Sequence, residues 1–290
     1  MRDPLTIAIY NVALLRVRVF GATFNEPVPF VTERFNALPA IIASARADIV
    51  MLQEIYETEH RLRLAIELRR VLPYAAFEPH SSLIRVSDGL MTLSRFPVTR
   101  PIFERFTHAP FGEQRLANKG FLTCDVETPN VGILRVVNVH TASGGILGYT
   151  VNPKHVHSRG KQIEQLRQRV ETFRGDKVLV AGDFNTGPES SPQNYRDLLA
   201  AGYLDAYAEA QVRRGPLVTW DPQNPLTIDG PHRNAPAQRV DHAFIPPFCA
   251  HLFHVETADV LFDAPTVETA TSGPVPPSDH NAVRFRLYRA

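Results

Sequence analysis

Only two of the 290 residues are cysteine, and Cys124 and Cys249 stand in neither a metal-binding nor a redox spacing. A thiolate metal cage and a dithiol active site are therefore excluded. Cys124 falls in the apolar stretch 120–126 and reads as a buried structural thiol. An excess of either charge is also missing. With 31 basic and 30 acidic residues the formal net charge is +1, so the composition does not draw the chain as a whole onto nucleic acid, although a local basic groove stays open. No apolar run approaches the ~20 residues that span a bilayer. The polar start Met1-Arg2-Asp3-Pro4 is not a basic-plus-apolar leader. The expectation is a soluble, monomeric chain, cytoplasmic by default. Internal repeats and composition shifts are absent too, so residues 1–290 are expected to form one domain. Hydrophobic residues make up 44% and charged residues 21%, enough for a full core.

Strand patterns dominate. Residues 5–10 place Leu5, Ile7 and Ile9 in alternation, and 48–53 form a short apolar run suited to a strand covered on both faces. Further strands are predicted at 89–94, 120–126, 133–140, 177–182, 239–245, 257–262 and 282–288. Helical spacing over 30–47 carries Phe35, Leu38, Ile41, Ile42 and Ala45, with Pro39 an expected kink. Over 58–72 it sets Leu62, Ala65, Ile66 and Leu68 against Arg61, Arg63, Glu67 and Arg70. A long polar loop, 141–157, precedes a helix at 158–173, and a short helix covers 194–200. The Pro-rich stretch 215–236 reads as an active-site loop rather than a linker. Many strands with few, separated helices imply an α/β domain of two packed mixed sheets with helices outside.

Polar clusters sit where these strands end. Gly182-Asp183-Phe184-Asn185 closes an apolar run, and its carboxylate and amide, two residues apart, leave a strand end on the same side. Tyr10-Asn11, Gln53-Glu54, Asn138-Val139-His140 and Ser278-Asp279-His280 occupy comparable places, with Arg239-Val240-Asp241-His242 as a supporting partner. Together they suit the hydrolysis of a phosphoester, which needs phosphoryl charge neutralised, a water deprotonated and a leaving oxygen stabilised. Glu54 is the best metal candidate, because Mg²⁺ takes one or two carboxylates and keeps several waters. Asn11 could add a carbonyl oxygen. His280 is the expected general base, oriented by Asp241. Asp183 would position the water or approach a second ion, Asn185 would donate to a phosphoryl oxygen, and His140 would hold a phosphate oxygen or the leaving group.

The ordered set Tyr10-Asn11, Gln53-Glu54, Gly182-Asp183-Phe184-Asn185, the Asp241 strand and Ser278-Asp279-His280 resembles the endonuclease/exonuclease/phosphatase superfamily, the DNase I-like fold. That resemblance spans nearly the whole chain. It implies a four-layered α/β/β/α sandwich and hydrolysis of phosphoesters with Mg²⁺ or, in its place, Mn²⁺ or another divalent cation. It maps Glu54 and Asn11 to the metal, Asp183 and Asn185 to water and phosphate, and Asp241 with His280 to the base. Asp279 maps close to the metal or to the histidine. Three local features look like the neutral sphingomyelinase branch: Asn118-Lys119-Gly120-Phe121, with Lys119 a cation near the phosphate; Asn138-Val139-His140-Thr141; and the Arg159-Gly160-Lys161-Gln162 helix. Asn118 stands where that branch carries serine. The late hairpin tipped with adjacent aromatics is not found, and Ile146, Leu147 and Tyr149 form either a substitute for transient membrane contact or a lid. The substrate implied is a phospholipid, with nucleic acid the alternative.

Overall fold

The computed structural model describes residues 3–19, 22–78, 87–108, 118–143, 152–189, 191–230 and 232–290. Within them, β1 (Leu5–Asn11), β4 (Ile49–Gln53), β5 (Tyr74–Ala76), β6 (Met91–Ser94), β12 (Val212–Arg214), β14 (Phe253–Leu261) and β15 (Ala282–Arg289) form one sheet, ordered β12-β14-β15-β1-β4-β6-β5. The second sheet contains β7 (Val98–Arg105), β8 (Gly120–Thr128), β9 (Gly132–His140), β10 (Lys177–Asp183), β11 (Leu204–Asp205) and β13 (Asp241–Ile245), ordered β11-β13-β10-β9-β8-β7. A small hairpin joins β2 (Val17–Val19) to β3 (Ala22–Asn25). Both large sheets are mixed: β1 runs parallel to β4 and antiparallel to β15, and β10 runs parallel to β9 and antiparallel to β13.

Alternation along the central strands explains the layering. Ile7 and Ile9 of β1 join Ile49 and Met51 of β4 in a core shared with Val136, Val180 and Phe244 of the second sheet. The intervening Ala8, Tyr10, Val50 and Leu52 turn outward onto α1 (Val31–Ser44) and α2 (Thr58–Leu68). On the far side, α3 (Pro153–Glu171) and α4 (Pro192–Ala200) cover the second sheet through Ile163, Leu166 and Leu198. The result is an α/β/β/α sandwich. Each Ile or Leu so enclosed contributes roughly 1.5–3 kcal/mol relative to exposure. A one-residue slip of β1 would forfeit that on both faces at once.

Polar groups also tie the sheets together. Asn138 of β9 donates to the carbonyls of Leu52 (3.0 Å) and Met91 (3.1 Å), and its own oxygen accepts from Gln53 (2.7 Å). Gln53 and Asn138 are thus bound to one another beneath the rim that carries their neighbours Glu54 and His140.

Several elements differ from the sequence expectation. In α2 the buried stripe is Arg61, Leu64 and Leu68, while Leu62 and Ile66 are 49% and 60% exposed. Helical spacing admits either stripe, and Arg61 turns inward because loop carbonyls there need donors. The helix expected from 158 begins at Pro153, since Asn152 caps it by accepting from the Lys154 amide and Pro153 fits the first turn. Strand β7 was not predicted. It carries Pro101 and a bulge at Arg100 (φ 53°), both tolerated because it is an edge strand. Helix α1 continues through Pro39. Cys124 and Cys249 are both buried and unpaired.

Candidate active site

Topology brings the strand-end clusters onto one rim. Asn11 is the last residue of β1 and Glu54 follows β4, its parallel neighbour, in which Gln53 pairs with Asn11. His140 closes β9 and Asp183 closes β10, in register with each other. Asp241 opens antiparallel β13 and pairs with Asp183, and His280 immediately precedes the region where β15 meets β1. Ends of parallel strands are where open α/β sheets place ligands.

Local backbone chemistry makes the close approach possible. Gly182 has φ 145°, and a Cβ there would lie 2.0 Å from the Val139 carbonyl oxygen, so only glycine lets Asp183 sit beside His140. Glu54 (φ 64°), Asn185 (φ 47°) and Ala13 (φ 48°) are non-glycine residues in left-handed conformation. Each stores roughly 1–3 kcal/mol of strain that its surroundings must hold.

The side chains meet across a narrow cleft. Glu54 Oε1 lies 3.6 Å from His140 Nε2, which lies 3.4 Å from Asp183 Oδ2, itself 4.0 Å from His280 Nε2. Asn11 Nδ2 bridges the same groups, donating to Asp183 Oδ2 (2.9 Å) and Glu54 Oε1 (3.3 Å), while its oxygen accepts from the Ala13 amide (3.1 Å). The backbone bond therefore fixes Asn11 with its amide hydrogens toward the cleft. His280 Nδ1 lies 2.9 Å from Asp241 Oδ2. The backbone N–H groups of Val240 and Asp241 donate to Thr219 Oγ1, anchoring that strand start. Asp183 Oδ1 accepts from the Asn185 amide (2.8 Å), and Asn185 Nδ2 donates to the Thr141 carbonyl (3.0 Å). Lys119 is buried, and its ammonium touches both ring nitrogens of His140, with Nδ1 at 3.2 Å. An ammonium has only donors, so the His140 ring must accept. Asp279 accepts from Trp220 Nε1 (3.3 Å).

The charge of this rim is strongly unbalanced toward acid. Burial alone would depress the His280 imidazole, but the carboxylates of Asp241, Asp279 and Asp183 together push it up to about 10. Burial likewise works against ionised Asp183, yet the His140 hydrogen bond and the charges of His280 and Lys119 hold its carboxyl well below the usual range. Burial pushes Asp241 upward, and burial followed by the nearby Glu54 charge does the same to Asp279.

Cation-binding capacity appears in two places. Asp183, Asp241 and His280 present ligand atoms within 4.8 Å of one another. In that group His280 Nδ1 is already bound to Asp241 Oδ2, while among the described residues the buried Asp241 Oδ1 has no hydrogen-bond partner. At the other end, Glu54 and Asp279 are close enough for one charge to disfavour the other. Glu54 is partly exposed, and among the described residues its contacts are made through Oε1. Asp279 is engaged at both oxygens, by Trp220 Nε1 (3.3 Å) and Ser278 Oγ (3.4 Å), so Glu54 offers the more open carboxylate of the two.

All nine residues singled out from the sequence, Asn11, Glu54, Lys119, His140, Asp183, Asn185, Asp241, Asp279 and His280, therefore line or adjoin one cleft. Ile146, Leu147 and Tyr149 lie outside the described residues. Sequence reasoning missed Thr219, Trp220 and the buried Arg34 and Arg61. The signal for Arg34 was present: it lies on the same helical stripe as Val31, Phe35 and Leu38. The Arg159 helix carries two fully buried polar side chains. Arg159 donates to the Ala142 carbonyl (3.1 Å), and Gln162 accepts from the Ala142 amide (2.9 Å).

Known proteins point the same way. Sphingomyelinase C of Bacillus cereus is 21% identical over 255 residues, which cover 83% of this chain and 74% of that one. The chain spans between 38% and 74% of the length of the curated relatives it matches. In three dimensions it resembles sphingomyelinase C from Streptomyces griseocarneus, with a TM-score of 0.77 at 20% identity over 98% of this chain and 99% of that one. It also resembles a Staphylococcus aureus beta toxin variant with bound magnesium ions, with a TM-score of 0.78 at 18% identity over 98% and 99% of the two chains. These structural likenesses are of fold. Residues 9–280 match a broader profile, and by that match the chain belongs to the Endonuclease/Exonuclease/phosphatase family and is a hydrolase of that family.

Proposed function

We propose that the protein is a divalent-cation-dependent phosphodiesterase that releases the phosphorylated headgroup of a phospholipid, as a sphingomyelinase does. The observation that carries this reading is the His280–Asp241 pair, with Nδ1 held at 2.9 Å, facing Glu54 across a cleft bridged by Asn11, Asp183 and His140. Glu54 and Asp279 would hold Mg²⁺, with Mn²⁺ or another divalent cation as substitutes, and Asn11 would fix the Glu54 carboxylate. When bound, the cation supplies neutralisation of phosphoryl charge and of the leaving oxygen.

The chain's own residues do the rest. The carboxylates of Asp241, Asp279 and Asp183 raise the His280 imidazole, and a cation on the same rim would offset them and bring it toward the range of a base. Its Nε2 then takes a proton from water, Asp241 holds Nδ1 and the ring orientation, and Asp183 orients the water through Oδ2. Asn185 spends one amide hydrogen on Thr141 and has a second for a phosphoryl oxygen. His140, backed by the Lys119 ammonium, faces the same oxygens and the departing alkoxide. The substrate class is supported by the sphingomyelinase relatives and the near-zero net charge.

A side-by-side assay with Mg²⁺ on sphingomyelin, lysophospholipids, plasmid DNA and bis-p-nitrophenyl phosphate tests both parts. Turnover of a phospholipid without DNA nicking is expected. Nicking of DNA with inert sphingomyelin would reverse the substrate, and no turnover of any phosphodiester would remove the chemistry.

A further inference from the structure

Arg34 is 1% exposed and lies on the apolar face of α1, beside Val31, Phe35 and Leu38. All five of its N–H groups are satisfied, and every acceptor is a backbone carbonyl. Nε donates to Pro29 (2.9 Å), one terminal nitrogen to Val12 (2.9 Å) and Pro277 (3.3 Å), and the other to Ala13 (2.7 Å) and Val28 (3.1 Å). No carboxylate pairs with it among the described residues. Burial disfavours the guanidinium, and the charges of Asp279, Glu26 and Glu54 offset that only from a distance, so a leucine or methionine would fill the same stripe more cheaply.

The carbonyls it binds suggest what that cost secures. Val12 and Ala13 directly follow Asn11, and Ala13 is held at φ 48°, where a Cβ is strained. Pro277 directly precedes Ser278-Asp279-His280. A second tie joins the same two segments: Ser278 Oγ donates to the Asn11 carbonyl (2.7 Å) and accepts from the His280 amide (3.2 Å). One segment carries a residue of the cation side, and the other carries the base.

We propose that Arg34 is a positioning residue: it makes the turn after β1 and the segment before β15 one rigid unit, and so fixes Asn11 relative to His280. The functional consequence rests on the mechanism proposed above, whereas the structural coupling does not. Loosening either segment alone would let the two halves of the cleft drift. A displacement of about 1 Å between reacting groups costs roughly 100-fold in rate.

Hydrogen exchange tests the coupling without any activity. In the unaltered protein under mild guanidinium, the amides of Ala13, His280 and Asn281 should open together with one denaturant slope. Arg34→Lys keeps the charge and much of the stem but cannot reach five carbonyls. It should raise exchange at residues 12–14 and 278–281 together by tenfold or more, while Ile7, Ile9 and Val283 stay protected. With bis-p-nitrophenyl phosphate and Mg²⁺, kcat should fall about 100-fold while KM changes less than about threefold. Arg284→Lys, which disturbs a bond to the Ala45 carbonyl (3.0 Å) and the pair with Asp259 (2.8 Å) away from the cleft, is the control and should leave kcat unchanged. Separate opening of the two segments in the unaltered protein overturns the proposal. So does uniform loosening of Arg34→Lys, or an equal kcat loss in the control. If Arg34→Lys does not fold, the unaltered protein decides. An unaltered protein inert toward the probe would sink the proposed function while leaving the exchange result to judge Arg34.

Discussion

Arginine is used with a different emphasis at the cleft rim and along the strands. At the rim, three of the largest fully buried side chains are Arg34, Arg61 and Arg159, and each donates to carbonyls beside a strand end. Arg61 holds the Ile55 carbonyl, directly after Glu54, at 2.6 Å, with Asp88 a distant partner at 3.5 Å. Arg159 holds the Ala142 carbonyl, two residues after His140. Elsewhere several arginines meet carboxylates closely, Arg135 with Asp125 (2.8 Å), Arg284 with Asp259 (2.8 Å) and Arg239 with Asp205 (2.8 Å), although Arg284 also donates to the Ala45 carbonyl and Arg213 to that of Tyr207. Among the described residues, none of Glu54, Asp183, Asp241 and Asp279 is paired with an arginine. The lesson is one of allocation. The three buried arginines near the cleft go chiefly to backbone carbonyls, whereas on the proposed mechanism the cleft carboxylates act on imidazole, metal and water.

The contrast can be broken most sharply at the base. On the proposed mechanism His280→Ala should lower kcat by about 10³-fold or more, while thermal melting shifts by no more than a few degrees. Retained turnover would remove His280 from its role. Removing the cation should do as much: EDTA should reduce turnover to background, and added Mg²⁺ should restore it. An enzyme indifferent to chelation would overturn the reading of Glu54.

A strand-type carboxylate should behave inversely. Asp205 is buried and bound by Arg239 and Tyr195. Burial opposes its charge, but His242 and Arg239 outweigh that and hold its carboxyl well below the usual range. A depressed carboxyl contributes stability above its unfolded pKa of about 4, and that stability is lost as pH falls through the folded value. Asp205→Asn is thus expected to cost about 3–5 kcal/mol at pH 7 and to flatten the acid limb of a denaturation series. An unchanged acid limb would contradict the pairing.

The smallest effect should have the opposite sign. Because burial and Glu54 push Asp279 up, its ionised form is a penalty in the folded state. Asp279→Asn should raise stability by about 1 kcal/mol at pH 7, with the gain fading toward pH 4, and should lower turnover. A loss of stability at neutral pH would show that Asp279 is already compensated.

Much of this was legible in the chain because buried strands announce themselves. The runs around Ile49, Val136 and Val180 are apolar on both faces, so their ends, and the polar residues placed there, could be located. The convergence of Asn11, Glu54, His140, Asp183, Asp241 and His280 follows from strand order and register, which periodicity does not encode; the family resemblance supplied it. Other features were hidden for physical reasons. Leu62 and Ile66 share helical spacing as well as Leu64 and Leu68 do, and nothing local reveals that Arg61 serves the distant carbonyl of Glu78. Pro101 masked β7, and the orientation of the Asn11 amide depends on the single backbone donor of Ala13.

The division of labour across the cleft is tested most directly by anomalous diffraction from crystals soaked in Mn²⁺. The expected result is a peak about 2.1–2.3 Å from a Glu54 carboxylate oxygen, with the His280–Asp241 hydrogen bond intact. A peak seated instead among Asp183, Asp241 and His280, with that bond broken, would contradict it.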